Sequence, residues 1–200
     1  MERISLTDFV DFAISSGTPK LTKVKQIKNR PDDYHPSRDF YKKIREAIIE
    51  FHEAGKTDKK LFDKILKDLH KNKIEHYRAC IKGYKKFLGR KKLQWFSPPT
   101  DEWSPSGISI RINPELGLTF DGVPHVIKLY FKKDGLSKNR VDIILLLLHH
   151  TLSSQSLSGT KFCVLDVQKG KLFGNESPDQ SFMPLLLGEA QSFRVMWDQV

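Results

Sequence analysis

The spacing of apolar residues changes partway along the chain. Up to about residue 92 they recur every three or four positions, which lines up one face of an α-helix. Leu6, Phe9, Val10, Ala13 and Ile14 share such a face, with Ser5 placed to cap the helix and Gly17 to end it. Residues 17–37 hold Pro19, Pro31, Pro36 and several lysines, and predict a long loop. A second helix is predicted after Ser37, with Phe40, Ile44, Ala47, Ile48 and Phe51 inward and Gly55 stopping it. A third starts near Thr57 and buries Leu61, Phe62, Ile65 and Leu69. A fourth, following or continuing the third, buries Tyr77, Ile81, Tyr84 and Leu88.

After Gly107 the period becomes two, the alternation of a strand with one buried face. Ile108, Ile110 and Ile112 alternate in ISIRIN, and Leu116, Leu118 and Phe120 in LGLTFD. Asp121-Gly122 is a hairpin turn signal, and Ile127, Leu129 and Phe131 alternate in the strand beyond it. The short turns predict a three-stranded antiparallel meander. Ser137 caps a helix to about Leu152 whose Ile143–Leu148 run is apolar nearly all round, so it needs cover on both sides. KFCVLDV and KLFG form a hairpin about Lys169-Gly170, and a last helix from about Ser181 aligns Leu186, Ala190, Phe193 and Trp197.

The fold class predicted is α+β, with an N-terminal helical bundle followed by a mostly antiparallel sheet flanked by helices. Three segments follow: a basic bundle over 1–92, a proline- and tryptophan-rich connector over 93–107, and an α+β domain over 108–200. Trp95 and Trp103 are expected to pin the two halves together.

Composition sharpens this picture mainly through charge. The net charge of +10 is unevenly spread. Residues 1–100 carry 24 Lys+Arg against 13 Asp+Glu, and residues 101–200 carry 10 against 11. An excess confined to one half favours a polyanionic partner, above all nucleic acid. Cys80 and Cys163, far apart, form no disulfide framework or zinc signature. With no apolar leader at the start and no apolar run of spanning length, the expected setting is cytoplasmic, with no membrane partner.

The densest basic feature is KNKIEHYRACIKGYKKFLGRKK, residues 71–92. In helical projection Lys71, Arg78, Lys82, Lys85 and Lys86 fall on an arc of about 100° beside the apolar face. Arg90, Lys91 and Lys92 follow the helix end, where cations also favour the helix dipole. Such a stripe suits phosphate contacts, which are salt-dependent and largely blind to sequence. A second basic surface is expected on the polar face of the meander, with Arg111, Lys128, Tyr130 and Lys132.

The strand VIKLYFK and the order meander, helix, strand resemble the core of PD-(D/E)XK nucleases over roughly residues 105–170. In that family an apolar strand carries an acid, one residue, then a lysine that serve metal-assisted phosphodiester cleavage. Here the matching positions read Lys128-Leu129-Tyr130 or Tyr130-Phe131-Lys132, without an acid. A lysine at the carboxylate position repels a divalent cation, so the resemblance implies a nucleic-acid-binding relative without catalysis. An active nuclease, the alternative, would use Mg or Mn with Glu115, Asp121 and Lys128, and Asp166 in support; otherwise no cofactor is expected.

The remaining candidates have structural explanations. Adjacent His149 and His150 point about 100° apart on a helix and suit its last turn better than a shared metal. His125 lies on the inward register of its strand, and Cys163 sits between Phe162 and Val164 as a packing residue. The sequence thus predicts a nucleic-acid-binding protein without its own catalysis. A protein-interaction subunit or homodimer, docking through the 93–103 connector and the leucine-rich helices, is the third alternative.

Overall fold

The computed structural model describes residues 2–30, 39–174 and 178–200, the Asp68 side chain excepted. The chain opens with a short strand β1 (Glu2–Ser5) that runs into helix α1 (Leu6–Ala13). Ser5 caps α1 as the sequence predicts, its Oγ accepting the Asp8 N–H at 3.1 Å. Where a loop is expected over 17–37 there is a helix, α2 (Thr18–Lys28). Pro19 sits in its first turn, where a missing N–H costs nothing, and only Val24 and Ile27 are buried. Two inward residues in eleven leave too faint a periodicity to read.

Helix α3 (Lys42–Glu53) buries Ile44, Ile48, Phe51 and also His52. Its expected cap, Ser37, lies outside the described residues. Helix α4 (Leu61–Lys64) continues as a 3₁₀ turn, and α5 (Lys71–Leu88) buries Tyr77, Cys80, Ile81, Tyr84, Phe87 and Leu88. The connector contributes two strands, β2 (Gln94–Phe96) and β3 (Asp101–Trp103). Then come β4 (Ile108–Ile112), β5 (Leu116–Phe120), β6 (Val123–Tyr130), α6 (Lys138–Leu152), β7 (Lys161–Asp166), β8 (Lys171–Gly174) and α7 (Met183–Gln199). The protein is α+β, and no described helix is long and apolar enough to cross a membrane.

The strands form two sheets among the described residues, ordered β1-β4-β3 and β2-β5-β6-β7-β8. The expected meander is therefore only half present. β5 and β6 pair antiparallel through Asp121-Gly122, whose φ angles of 51° and 74° make a two-residue turn between paired Phe120 and Val123. β4 does not join them, because both its edges are occupied, by β1 in parallel and β3 antiparallel. The vacant edge of β5 is taken by β2. β6 and β7 are parallel and joined by α6, and β7–β8 is the expected hairpin.

Two apolar clusters lie on opposite sides of the second sheet. Val126, Tyr130, Phe162 and Val164 face one, with α1, α2, α6, α7 and the isoleucines of β4. Ile127, Leu129, Cys163 and Leu165 face the other, with α3 and α5. The polar, solvent-facing side expected for β6 is thus covered, as is usual where a sheet contains a parallel crossover. The helices of residues 1–92 divide between the two clusters rather than packing as one bundle. Trp103 is buried in the first cluster, edge-on to Phe9 at 5.6 Å, and Trp95 packs on the second, so the connector is anchored at both ends.

Helix α5 lies hard against the β7–β8 turn. A Cβ on Gly83 would stand 2.2 Å from the carbonyl oxygens of Val167 and Gln168, and one on Gly170 2.2 Å from that of Gly83. This reciprocal fit sets the height of α5 on the sheet and leaves its other face to solvent.

Candidate functional site

The outer face of α5 carries the charge that the sequence anticipates. Arg78, Lys82 and Lys86, four residues apart, are exposed and make no ion pair among the described residues. They form a row about 12 Å long, at 1.5 Å per residue. Arg90 and Lys92, beyond the helix end, are likewise exposed and unpaired among the described residues. Lys85 differs, because Asp63 holds its Nζ through both carboxylate oxygens at 2.7 Å. Lys91 differs too: its Nζ donates to the Phe87 carbonyl and stands 4.9 Å from the Phe87 ring. It is a C-terminal cap, aided by Lys59 on the Gly89 carbonyl. Glu75, an acid not anticipated from the sequence, is exposed in the same arc as the basic row. Lys60, Lys64 and Lys67, also not anticipated, are exposed on the segment that Asp63 ties to α5.

The second expected surface does not form. Lys128 is only 7% exposed and Tyr130 6%, both inside the first cluster's side of the sheet. Lys128 Nζ donates to Glu115 Oε1 at 2.7 Å and to the Asn113 carbonyl at 2.9 Å. The other oxygen of Glu115 accepts the Leu129 N–H at 2.7 Å. This charge pair clamps the Asn113–Glu115 corner onto β6 and has no face left for a phosphate. Tyr130 lies under the Arg140 guanidinium, 5.5 Å from the ring centre. Arg111 is exposed on β4, but its cross-strand partner is Glu102, which also binds Arg3 and the Ser109 hydroxyl. Lys132 is turned to Asp11 on α1, at 2.6 Å.

The acids of the nuclease alternative are brought together only in part. Glu115 meets Lys128, but that lysine neutralises it. Asp121 is at the exposed tip of the β5–β6 hairpin, the full length of β5 away, or about 20 Å at strand rise. Asp166 is buried at the end of β7, where Oδ1 accepts the Lys169 N–H at 3.0 Å and Lys169 Nζ stands 3.7 Å from Oδ2. It secures the hairpin turn. Among the described residues no three His, Cys, Asp or Glu side chains are grouped as a metal site requires.

The histidines and cysteines take structural roles. His149 and His150 occupy the last turn of α6, and His149 meets Phe162 edge-on at 5.6 Å. His125 stacks on Phe120 at 3.8 Å, and burial lowers its pKa. Burial pushes the thiols of Cys80 and Cys163 up to about 12, so neither is a ready nucleophile. No protein-family model matches the chain, and no curated protein matches it.

Proposed function

We propose that this protein binds nucleic acid through the outer face of α5 and carries out no catalysis itself. The observation that supports this reading is the row Arg78, Lys82, Lys86, continued by Arg90 and Lys92, exposed and without acidic partners among the described residues. Cations near a helix C-terminus favour the dipole and can hydrogen-bond its last carbonyls, and Lys91 and Lys59 do so here. The row is surplus to that role. Contacts would run to phosphate oxygens, giving affinity with little base preference. The pairing of Glu115 with Lys128 supports the non-catalytic part, since both carboxylate oxygens are already engaged. On this reading the chain is a non-catalytic relative of the nuclease core that VIKLYFK resembles.

Fluorescence anisotropy with duplex and single-stranded DNA and RNA, from 25 to 200 mM salt, tests the proposal. Five phosphate contacts give a slope of log K against log salt of about −4. Replacing Arg78, Lys82 and Lys86 together by glutamine should flatten it by about 2 to 3. Absence of binding at low salt refutes the function, and an unchanged slope refutes the assigned face.

A further inference from the structure

On the opposite side of the second sheet from α5, a cleft of about 620 Å³ opens between α1, the start of α2 and the start of α6. It is open to solvent, since Ile14, Thr18, Pro19, Thr22 and Gln26 of its lining are exposed. One acid in it serves three cations. Asp11 Oδ1 takes Arg140 at 2.5 Å, and Oδ2 takes Lys132 at 2.6 Å and Lys23 at 3.2 Å. The neighbouring Asp8 shares Lys23, at 3.2 Å, and is engaged by Arg30 at 3.0 Å. Among the described residues two carboxylates therefore face four cations here, an excess of two positive charges. Arg140 and Lys23 are largely buried, which makes that excess costly.

The placement deepens the imbalance. Arg140 lies in the first turn of α6, beside Lys138 and with no acid in that turn, at the helix end where positive charge is disfavoured. Burial raises the pKa of Asp11, yet the hydrogen bonds from Lys132 and Arg140 and the charge of Lys23 outweigh it and hold the carboxyl below its ordinary value. Each cation keeps N–H donors that Asp11 does not use: a guanidinium has five and an ammonium three. Thr18 and Gln26 line the same cleft with side chains that have no partner among the described residues. The site also sits at the carboxyl end of β6, beside the crossover to the parallel β7, the position where open sheets with such crossovers receive ligands.

We propose that this cleft binds a phosphate monoester, with Arg140, Lys132 and Lys23 gripping the phosphoryl oxygens and Thr18 and Gln26 contacting the remainder. A dianion matches the excess of two positive charges among the described residues, and the guanidinium fork matches phosphoryl geometry. This site is separate from the α5 face, and each can fail without the other.

Isothermal titration calorimetry with inorganic phosphate, AMP and adenosine, at constant ionic strength in chloride, tests it. Phosphate and AMP should bind and adenosine should not. Lys132 is 42% exposed, so Lys132→Ala folds and should weaken AMP about tenfold, the worth of one charge-assisted contact. Asp11→Asn should tighten AMP severalfold while lowering Tm, because it removes the competing carboxylate. A purely structural ion cluster would lose stability without gaining anion affinity. The glutamine triple variant of α5 should leave AMP binding unchanged, and Lys132→Ala should leave oligonucleotide binding at α5 unchanged. A 5′-phosphorylated hexanucleotide identifies the source of the monoester: tighter binding than AMP in a Lys132-dependent manner assigns an oligonucleotide end, weaker binding a small molecule. No phosphate or AMP binding beyond the chloride control, or AMP binding indifferent to Lys132→Ala, overturns the proposal.

Discussion

Lowering the pH from 7 to 5 favours the protonated form of an ordinary imidazole, and His52 lies where a proton is poorly accepted. It is on α3, 6% exposed, edge-on to the rings of Phe51 at 5.2 Å and Tyr84 at 6.0 Å. Its Nε2 shares a hydrogen bond with the Tyr84 hydroxyl, itself fully buried. Burial alone lowers its pKa from 6.5 to about 4. Between those values the unfolded chain binds the proton and the folded protein does not. Stability from this residue is therefore complete above pH 6.5 and is lost as pH falls toward 4. Integrating that difference gives a loss of about 2 kcal/mol at pH 5 and about 3 kcal/mol at pH 4. Against a typical total of about 5–15 kcal/mol this is large. His125 acts in the same direction, since burial lowers its pKa as well. Asp8 and Asp11 do not interfere: their pKa values are lowered from 3.8, so their contribution is lost only below that pH. Urea denaturation at pH 7, 6 and 5 on the wild type and on His52→Gln separates the terms. Glutamine can hydrogen-bond Tyr84 without titrating, so the variant's stability should fall by about 2 kcal/mol less between pH 7 and 5. Parallel pH curves for the two proteins would refute the reasoning.

Two further substitutions probe the packing that shapes the surfaces. Glu115→Gln leaves Lys128 charged and buried without a counter-charge and should cost about 3–5 kcal/mol in urea denaturation. Glu115→Leu combined with Lys128→Met should recover most of that loss, and a Glu115→Gln cost under about 1 kcal/mol would contradict a buried pair. Gly83→Ala improves helix propensity by about 1 kcal/mol, yet its methyl meets two backbone carbonyls that cannot rotate away. A net loss of about 2 kcal/mol is expected by thermal denaturation, and an equally stable variant would mean that α5 does not sit on the β7–β8 turn.

Local signals in the sequence carried over wherever the deciding interactions were local. Ser5 and Ser137 cap their helices, and Asp121-Gly122 turns its hairpin. The 71–92 helix buries its predicted stripe, and its basic arc faces out because the apolar arc must face in. What failed depended on distant partners. The alternation in VIKLYFK told which residues share a face, but whether that face meets water is decided by α1, α6 and α7 packing over it. That is why Lys128 and Tyr130 are buried, and why Lys128 serves Glu115 instead of a phosphate. Helix α2 escaped notice because most of its side chains are solvated.

The anion cleft was invisible for the same reason. Asp11, Lys23, Lys132 and Arg140 come from α1, α2, the end of β6 and the start of α6, and no sequence spacing links them. By itself the sequence determined the capped helices, the hairpins and the location of the charge excess, because each follows from residues within a few positions of one another. The tertiary structure alone decided which charges are spent, since Lys85, Lys91 and Lys128 find acids or carbonyls while Arg78, Lys82 and Lys86 find none among the described residues. Coulomb energy depends on distance in space and on local burial, and the order of residues along the chain specifies neither.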